Sequence, residues 1–132
     1  MIVVDASVLV SALADQGRDA RWAAEHVAGS RLAAPHHAVV EVANVLRRLE
    51  GASLINSTAG ALAHHDLVAL RIDLYPYRPF AARVWVLRHN VTAYDAAYLA
   101  LAEALDIPLV TLDRRMAGAP GPSCEILVPP RS

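Results

Sequence analysis

The sequence predicts an α/β sandwich with a mainly parallel central sheet. Short apolar runs of strand length alternate with longer stretches of helical periodicity, the pattern of strands joined by helical crossovers. Two of those runs, IVVD and LVTLD, stop on an aspartate, Asp5 and Asp113. In open parallel sheets the functional crevice lies beyond the carboxyl ends of the strands. Both acids are therefore expected at one edge of one sheet.

The elements follow in order. Ile2–Val4 is a β-rich run that stops at Asp5. Ser7–Leu13 reads as a helix, and Asp15-Gln16-Gly17 separates it from a second over Arg18–Ala28. Arg31–Pro35 is a short strand ended by its proline. From Ala38 to Leu49, Val39, Val42, Leu46 and Leu49 fall on one helical stripe and Glu41, Asn44 and Arg48 on the adjoining one. Gly51 terminates that helix. Ser57–Leu67 is another, capped by Asn56 or Ser57. Leu70–Tyr75 alternates as a strand does, and Pro76 and Pro79 close it. Phe80–Arg88 and Ala93–Leu105 are helical. Leu109–Leu112 is a buried-looking strand, and Glu125–Val128 is the last, before a Pro-Pro tail. No internal repeat, low-complexity tract or linker interrupts this order.

A length of 132 residues suits one domain, 1–132. Apolar residues make up 55% without counting Gly, above the usual share of roughly 45–50% that includes it. A chain this small has little interior to hide them, so some apolar surface is expected to lie under another chain, a second copy or a partner. No apolar run of about 18 residues argues for a membrane span, and a chain opening MIVVD is read as lacking a basic secretory leader. The lone Cys124 has no internal partner and suits a reducing cytoplasm. Net charge is −1, and all twelve basic residues are Arg. With four acids committed to a cation, nine remain against those twelve, a balance of +3. Arg grips phosphate bidentately, so the composition is compatible with nucleic acid, as it is with a plain genomic bias.

Four acids stand out: Asp5, Glu41, Asp95 and Asp113 all lie in or beside runs of Val, Leu and Ala. Burying an unpaired carboxylate is costly, so such groups are paired, protonated or bound to a cation. Each aspartate also has a local reading. Asp5 fits a cap for the helix that begins near Ser7, Thr92 and Asp95 fit a capping box, and Asp113 fits a cap for a turn at Arg114–Ala117. Glu41 is read as mid-helix, with Val at three of its four flanking positions. Two carboxylates about 4 Å apart repel by roughly 4 kcal/mol at an effective dielectric near 20. A divalent ion relieves that, and oxygen-only ligation suits Mg²⁺ or Mn²⁺.

The segments VVDASVLVSAL, EVANVLRRLE and YDAAYLALAEALDIPLVTLDRRM together resemble the PIN domain, and more narrowly the VapC-type toxin ribonucleases of prokaryotic toxin–antitoxin pairs. The resemblance covers nearly the whole chain. It implies a PIN-like three-layer α/β/α sandwich, with Asp5, Glu41, Asp95 and Asp113 as metal-binding catalytic acids. Ser7, Asn44 and Thr111 match the family's supporting polar positions. It further implies an Mg²⁺- or Mn²⁺-dependent endoribonuclease in which water hydrolyses an RNA phosphodiester, leaving 5′-phosphate and 3′-hydroxyl ends. Asp5 and Asp95 are expected to hold the first ion directly, with Glu41 and Asp113 acting partly through water. The family also implies a homodimer and a small VapB-type antitoxin whose C-terminal segment lies in the catalytic groove.

Arg114 and Arg115 directly follow Asp113 and are expected to contact phosphate, with Arg48 or Arg47 next; a solvated charge or an ion pair with an antitoxin competes with that reading. Tyr94 and Tyr98 flank Asp95, for base stacking or for core packing. His36-His37 and His64-His65 are adjacent pairs whose members face apart on a helix, although His37 and Glu41 meet at i, i+4. Trp22 and Trp85 read as packing or interface residues. A receiver or phosphotransfer domain is disfavoured because this chain has no Lys, and a dinucleotide-binding domain because no G-x-G-x-x-G follows the first strand. A non-catalytic PIN-like partner of an antitoxin and a DNA-directed PIN-like nuclease remain the alternatives.

Overall fold

The computed structural model describes residues 1–131. Its elements run β1 (Ile2–Val4), α1 (Ala6–Ala14), α2 (Arg18–Gly29), β2 (Leu32–Pro35), α3 (Ala38–Gly51), α4 (Ser57–Ala69), β3 (Ile72–Tyr75), a 3₁₀ turn (Arg78–Phe80), α5 (Ala81–Leu87), α6 (Ala93–Leu105), β4 (Leu109–Val110), α7 (Arg114–Gly118) and β5 (Ile126–Leu127). The sheet has the order β3-β2-β1-β4-β5, and every pairing is parallel. Val3 of β1 stands opposite Ala33 on β2 and Leu109 on β4.

Each residue of β1 and β2 is buried, as strands covered by helices on both faces must be. Helices α1 to α4 pack on one another, while α5 packs on α6, which lies along β1, β2 and β4. The result is the α/β/α sandwich expected. Val8, Leu9, Val42, Leu67, Leu99, Leu101 and Leu109 are fully enclosed in it. No described helix is long and apolar enough to cross a membrane.

The strand order locates the site. From β1 the chain fills one side with β2 and β3, then crosses to fill the other with β4 and β5. The switch point, where crossovers leave in opposite directions and a crevice opens, lies between β1 and β4. Asp5 leaves β1 there, and Asp113 follows β4.

Several boundaries differ from the sequence reading. The strand expected from Leu70 begins at Ile72, because the Leu70 N–H closes α4 on the carbonyls of Asp66 and Leu67. Pro79 does not close a strand. It sits inside the 3₁₀ turn that leads into α5, where a missing N–H costs little. Gly51 is still helical, and the left-handed residue of that turn is Ser53 (φ 59°). Glu41, read as mid-helix, falls in the first turn of α3. β4 is only Leu109–Val110.

Glu103 on α6 ties down the segment after α7. Its carboxylate accepts from Arg83 at 2.7 and 3.0 Å and from the Ser123 N–H at 2.7 Å, and Arg83 also donates to the Gly121 carbonyl at 3.0 Å. The Arg83 guanidinium holds the Glu103 carboxyl below its ordinary range in spite of burial. A depressed carboxylate contributes stability that is complete above its unfolded pKa and is lost as pH falls through the folded one. Glu103→Ala is expected to cost about 2 kcal/mol at pH 7, with the deficit shrinking toward acid pH; urea unfolding of both proteins across that range measures it.

Candidate active site

Asp5, Glu41, Asp95 and Asp113 line one open cleft of about 380 Å³, together with Ala6, Ser7, Val10 and Val45. Local chemistry puts three of them there. Asp5 is the N-cap of α1 and accepts from the Ser7 N–H at 3.4 Å. Asp113 is the N-cap of α7 and accepts from the Arg115 N–H at 3.0 Å. Thr92 caps α6 by accepting from the Asp95 N–H at 3.2 Å, although the carboxylate of Asp95 does not return the bond to the Thr92 backbone among the described residues. Capping and convergence are therefore compatible, since the caps stand where helices start at the sheet's carboxyl edge.

A directed hydrogen-bond network fixes Asp5, which is buried. The hydroxyls of Ser7 and Thr111 both donate to its Oδ2, at 2.5 and 3.0 Å. Each hydroxyl in turn accepts a backbone N–H, Ser7 from Leu112 at 3.1 Å and Thr111 from Asp113 at 3.0 Å. A hydroxyl has one hydrogen to give, so both are spent on the carboxylate. The network joins the exit of β1 to the loop after β4 and sets the spacing of Asp5 and Asp113. All of its bonds to Asp5 fall on Oδ2.

Glu41 is held from the opposite wall. The hydroxyl of Tyr98, a fully buried residue on α6, donates to Glu41 Oε1 at 2.8 Å. His37 Nε2 lies 3.5 Å from the same oxygen and has no hydrogen-bond partner among the described residues. The His37 ring meets Tyr94 and Tyr98 edge-on, with centroids 5.7 and 5.3 Å apart. Burial and the charges of Glu41 and Asp5 push the Tyr98 phenol far up, so it is a proton donor throughout the physiological range.

Asp95 carries the electrostatic signature of the cleft. Burial first, then the charges of Asp5, Asp113 and Glu41, raise its pKa to about 6, tempered by Thr92. Carboxylates that raise a neighbour's pKa share its field. Among the described residues no group of three or more His, Cys, Asp or Glu side chains is placed to hold a metal ion together. The four acids instead ring an open cleft, a geometry in which a cation would keep several of its waters.

The other anticipated residues scatter. Arg115 stays at the rim, with Nε 3.4 Å from Asp113 Oδ1 and the side chain 94% exposed. Arg114 turns away and donates to the Pro129 carbonyl at 2.6 Å. Asn44 is exposed and accepts from Arg47 at 3.0 Å. Neither of these two nor Arg48 lines the cleft, which Val45 does. Tyr98 is enclosed, which rules out base stacking for it, while Tyr94 is exposed. His65 lies beside Asp66 at the surface, away from the acids. The sequence reading missed the Tyr98 hydroxyl as the partner of Glu41; its buried tyrosine three residues after Asp95, one helical turn on, was the available signal.

Comparison with known proteins agrees with this fold. The PIN domain model matches residues 2–121. Ribonuclease VapC1 of Mycobacterium tuberculosis is 44% identical over 125 residues, 94% of either chain. Ribonuclease VapC9 of the same organism is 40% identical over 131 residues, 99% of this chain and 100% of that one. Among solved structures, a toxin–antitoxin complex from Klebsiella pneumoniae superposes with a TM-score of 0.71 at 19% identity, covering 100% of both chains. M. tuberculosis VapC20, a sarcin–ricin-loop-cleaving toxin, superposes with a TM-score of 0.68 at 16% identity, covering 89% of this chain and 94% of that one. On the family match and the identity to full-length relatives, this chain belongs to the PIN domain family.

Proposed function

We propose that the chain is a VapC-type endoribonuclease, the toxin of a toxin–antitoxin pair, that uses a divalent cation to hydrolyse RNA phosphodiesters with water as nucleophile. The observation that carries this reading is the convergence of Asp5, Glu41, Asp95 and Asp113 on one cleft at the switch point of the sheet. The names borne by relatives at 40 and 44% identity support it. The donor set is all oxygen, which fits Mg²⁺ or Mn²⁺. Mg²⁺ takes one or two carboxylates and retains waters, so a ring of acids around an open cleft suits it better than a closed cage.

Asp5 and Asp95 are assigned as direct ligands, and Glu41 and Asp113 as groups acting partly through water. When bound, the ion supplies charge neutralisation at the phosphoryl oxygens and a water of lowered pKa. Ser7 and Thr111 orient Asp5, Tyr98 orients Glu41, and the Arg115 N–H orients Asp113. For partners, the reading brings a VapB-type antitoxin and a second copy of the chain. The α3–α4 hairpin exposes Val40, Leu54, Leu62 and Val68, apolar surface of the kind such contacts cover.

Asp95→Asn is expected to lower RNA cleavage by at least about a hundredfold, the upper range seen even for outer-shell partners of metal ligands, while circular dichroism stays native. Full activity in that variant would remove the catalytic assignment. The same substitution tests the crowding without metal. Between its ordinary value of 3.8 and about 6, folded Asp95 keeps a proton that the unfolded chain has released, so stability falls as pH rises through that window. Discounted for a half-exposed group in screening salt, the cost at pH 7 is about 1 kcal/mol. In chelator, Asp95→Asn is expected to unfold at higher urea than the parent at pH 7 and to lose that advantage near pH 4.

A further inference from the structure

A second groove, of about 560 Å³, opens from the acid cleft and shares Asp95 and Asp113 with it. Its far wall carries Arg88 and Asn90 from the turn between α5 and α6, and Arg115 lines it from α7. One continuous surface therefore passes from four acids to two guanidiniums and a carboxamide.

Arg88 is braced. Its guanidinium carbon lies 4.3 Å from the centroid of the Trp85 ring, and its Nη1 donates to the Trp85 carbonyl. Trp85 is itself 64% exposed, so the indole serves as a shelf for the cation rather than as core. A guanidinium has five N–H donors, and no other hydrogen bond engages this one among the described residues. Four arginines elsewhere are committed, Arg31 to Asp73, Arg47 to Asn44, Arg83 to Glu103 and Arg114 to Pro129, while Arg115 keeps only a 3.4 Å contact of its Nε with Asp113 Oδ1.

We propose that this groove is the subsite for the RNA phosphate next to the one hydrolysed. Arg88 and Arg115 bind its oxygens, Asn90 adds an uncharged donor, and Trp85 is a positioning residue that acts through Arg88. The inference rests on the nuclease reading and deepens it. A strand of phosphates entering four carboxylates needs cations where the divalent ion does not reach, and this groove supplies two guanidiniums. The two surfaces share Asp95 and Asp113, so a phosphate at the acids would have its neighbour beside the arginines. An acidic peptide would set its own carboxylates against Asp95 and Asp113.

The test is single-turnover cleavage of a short unstructured RNA by the full chain in Mg²⁺, which separates the saturated rate from apparent affinity, repeated over a range of salt. Arg88→Ala is expected to weaken affinity about tenfold, as loss of a charged hydrogen bond does, and to flatten the salt slope by about 0.7, one phosphate contact on a single strand. Arg88→Lys keeps that slope. Trp85→Ala keeps it too but weakens affinity about threefold, and Trp85→Phe restores the loss. Both residues are exposed, so folding is preserved, and circular dichroism checks it. If the parent cleaves RNA while Arg88→Ala leaves affinity and slope unchanged, the groove assignment falls and the nuclease stands. If the parent neither binds nor cleaves RNA, both fall. If Arg88→Ala loses binding to an acidic peptide but not to RNA, the groove is a protein interface and the proposal is overturned.

Discussion

Mutual repulsion among four carboxylates is the constraint around which this molecule is arranged. Left to themselves the side chains would swing outward to water. The fold denies them that freedom by spending backbone and hydroxyl donors on particular oxygens: Ser7 and Thr111 on Asp5, Tyr98 on Glu41, and the Arg115 N–H on Asp113. Asp95 has the least such help, and burial and its three neighbours raise its pKa to about 6. On the proposed reading, a cation among these acids would relieve that repulsion as it binds.

The same donors serve folding. Asp5 and Asp113 satisfy orphan N–H groups at helix starts, and Thr92 does so one turn before Asp95. A parallel sheet with crossover helices puts every such start at its carboxyl edge, so a capping aspartate is delivered to the crevice without further machinery. The topology explains why three acids scattered along the sequence meet. Glu41 joins them by a different route, from the first turn of α3 and across to Tyr98.

Much of this was legible in the sequence because it is encoded locally. Alternating apolar runs specify strands and helices, and aspartates ending IVVD and LVTLD mark strand exits. What was not legible depends on contacts between distant residues or on side-chain direction. Arg114 and Arg115 look equivalent in sequence, yet they start a helix whose successive residues point about 100° apart. One reaches the Pro129 carbonyl and the other the rim of the cleft. Asn44 shares a helical stripe with Glu41 on paper, but the cleft wall there is Val45. The Tyr98 hydroxyl counts as core by composition and as a donor to Glu41 only once α6 is laid beside α3.

The distribution of arginine completes the argument. A net charge of −1 says little about nucleic acid, because what a polyanion meets is the field beside the acids, not the sum over the chain. Arginines paired with Asp73 and Glu103 contribute almost nothing to that field. Arg88 and the largely exposed Arg115, whose Nε lies 3.4 Å from Asp113 Oδ1, line the groove that shares Asp95 and Asp113 with the acid cleft. On the proposed reading, a strand crossing it would meet the guanidiniums on one side and the four acids on the other.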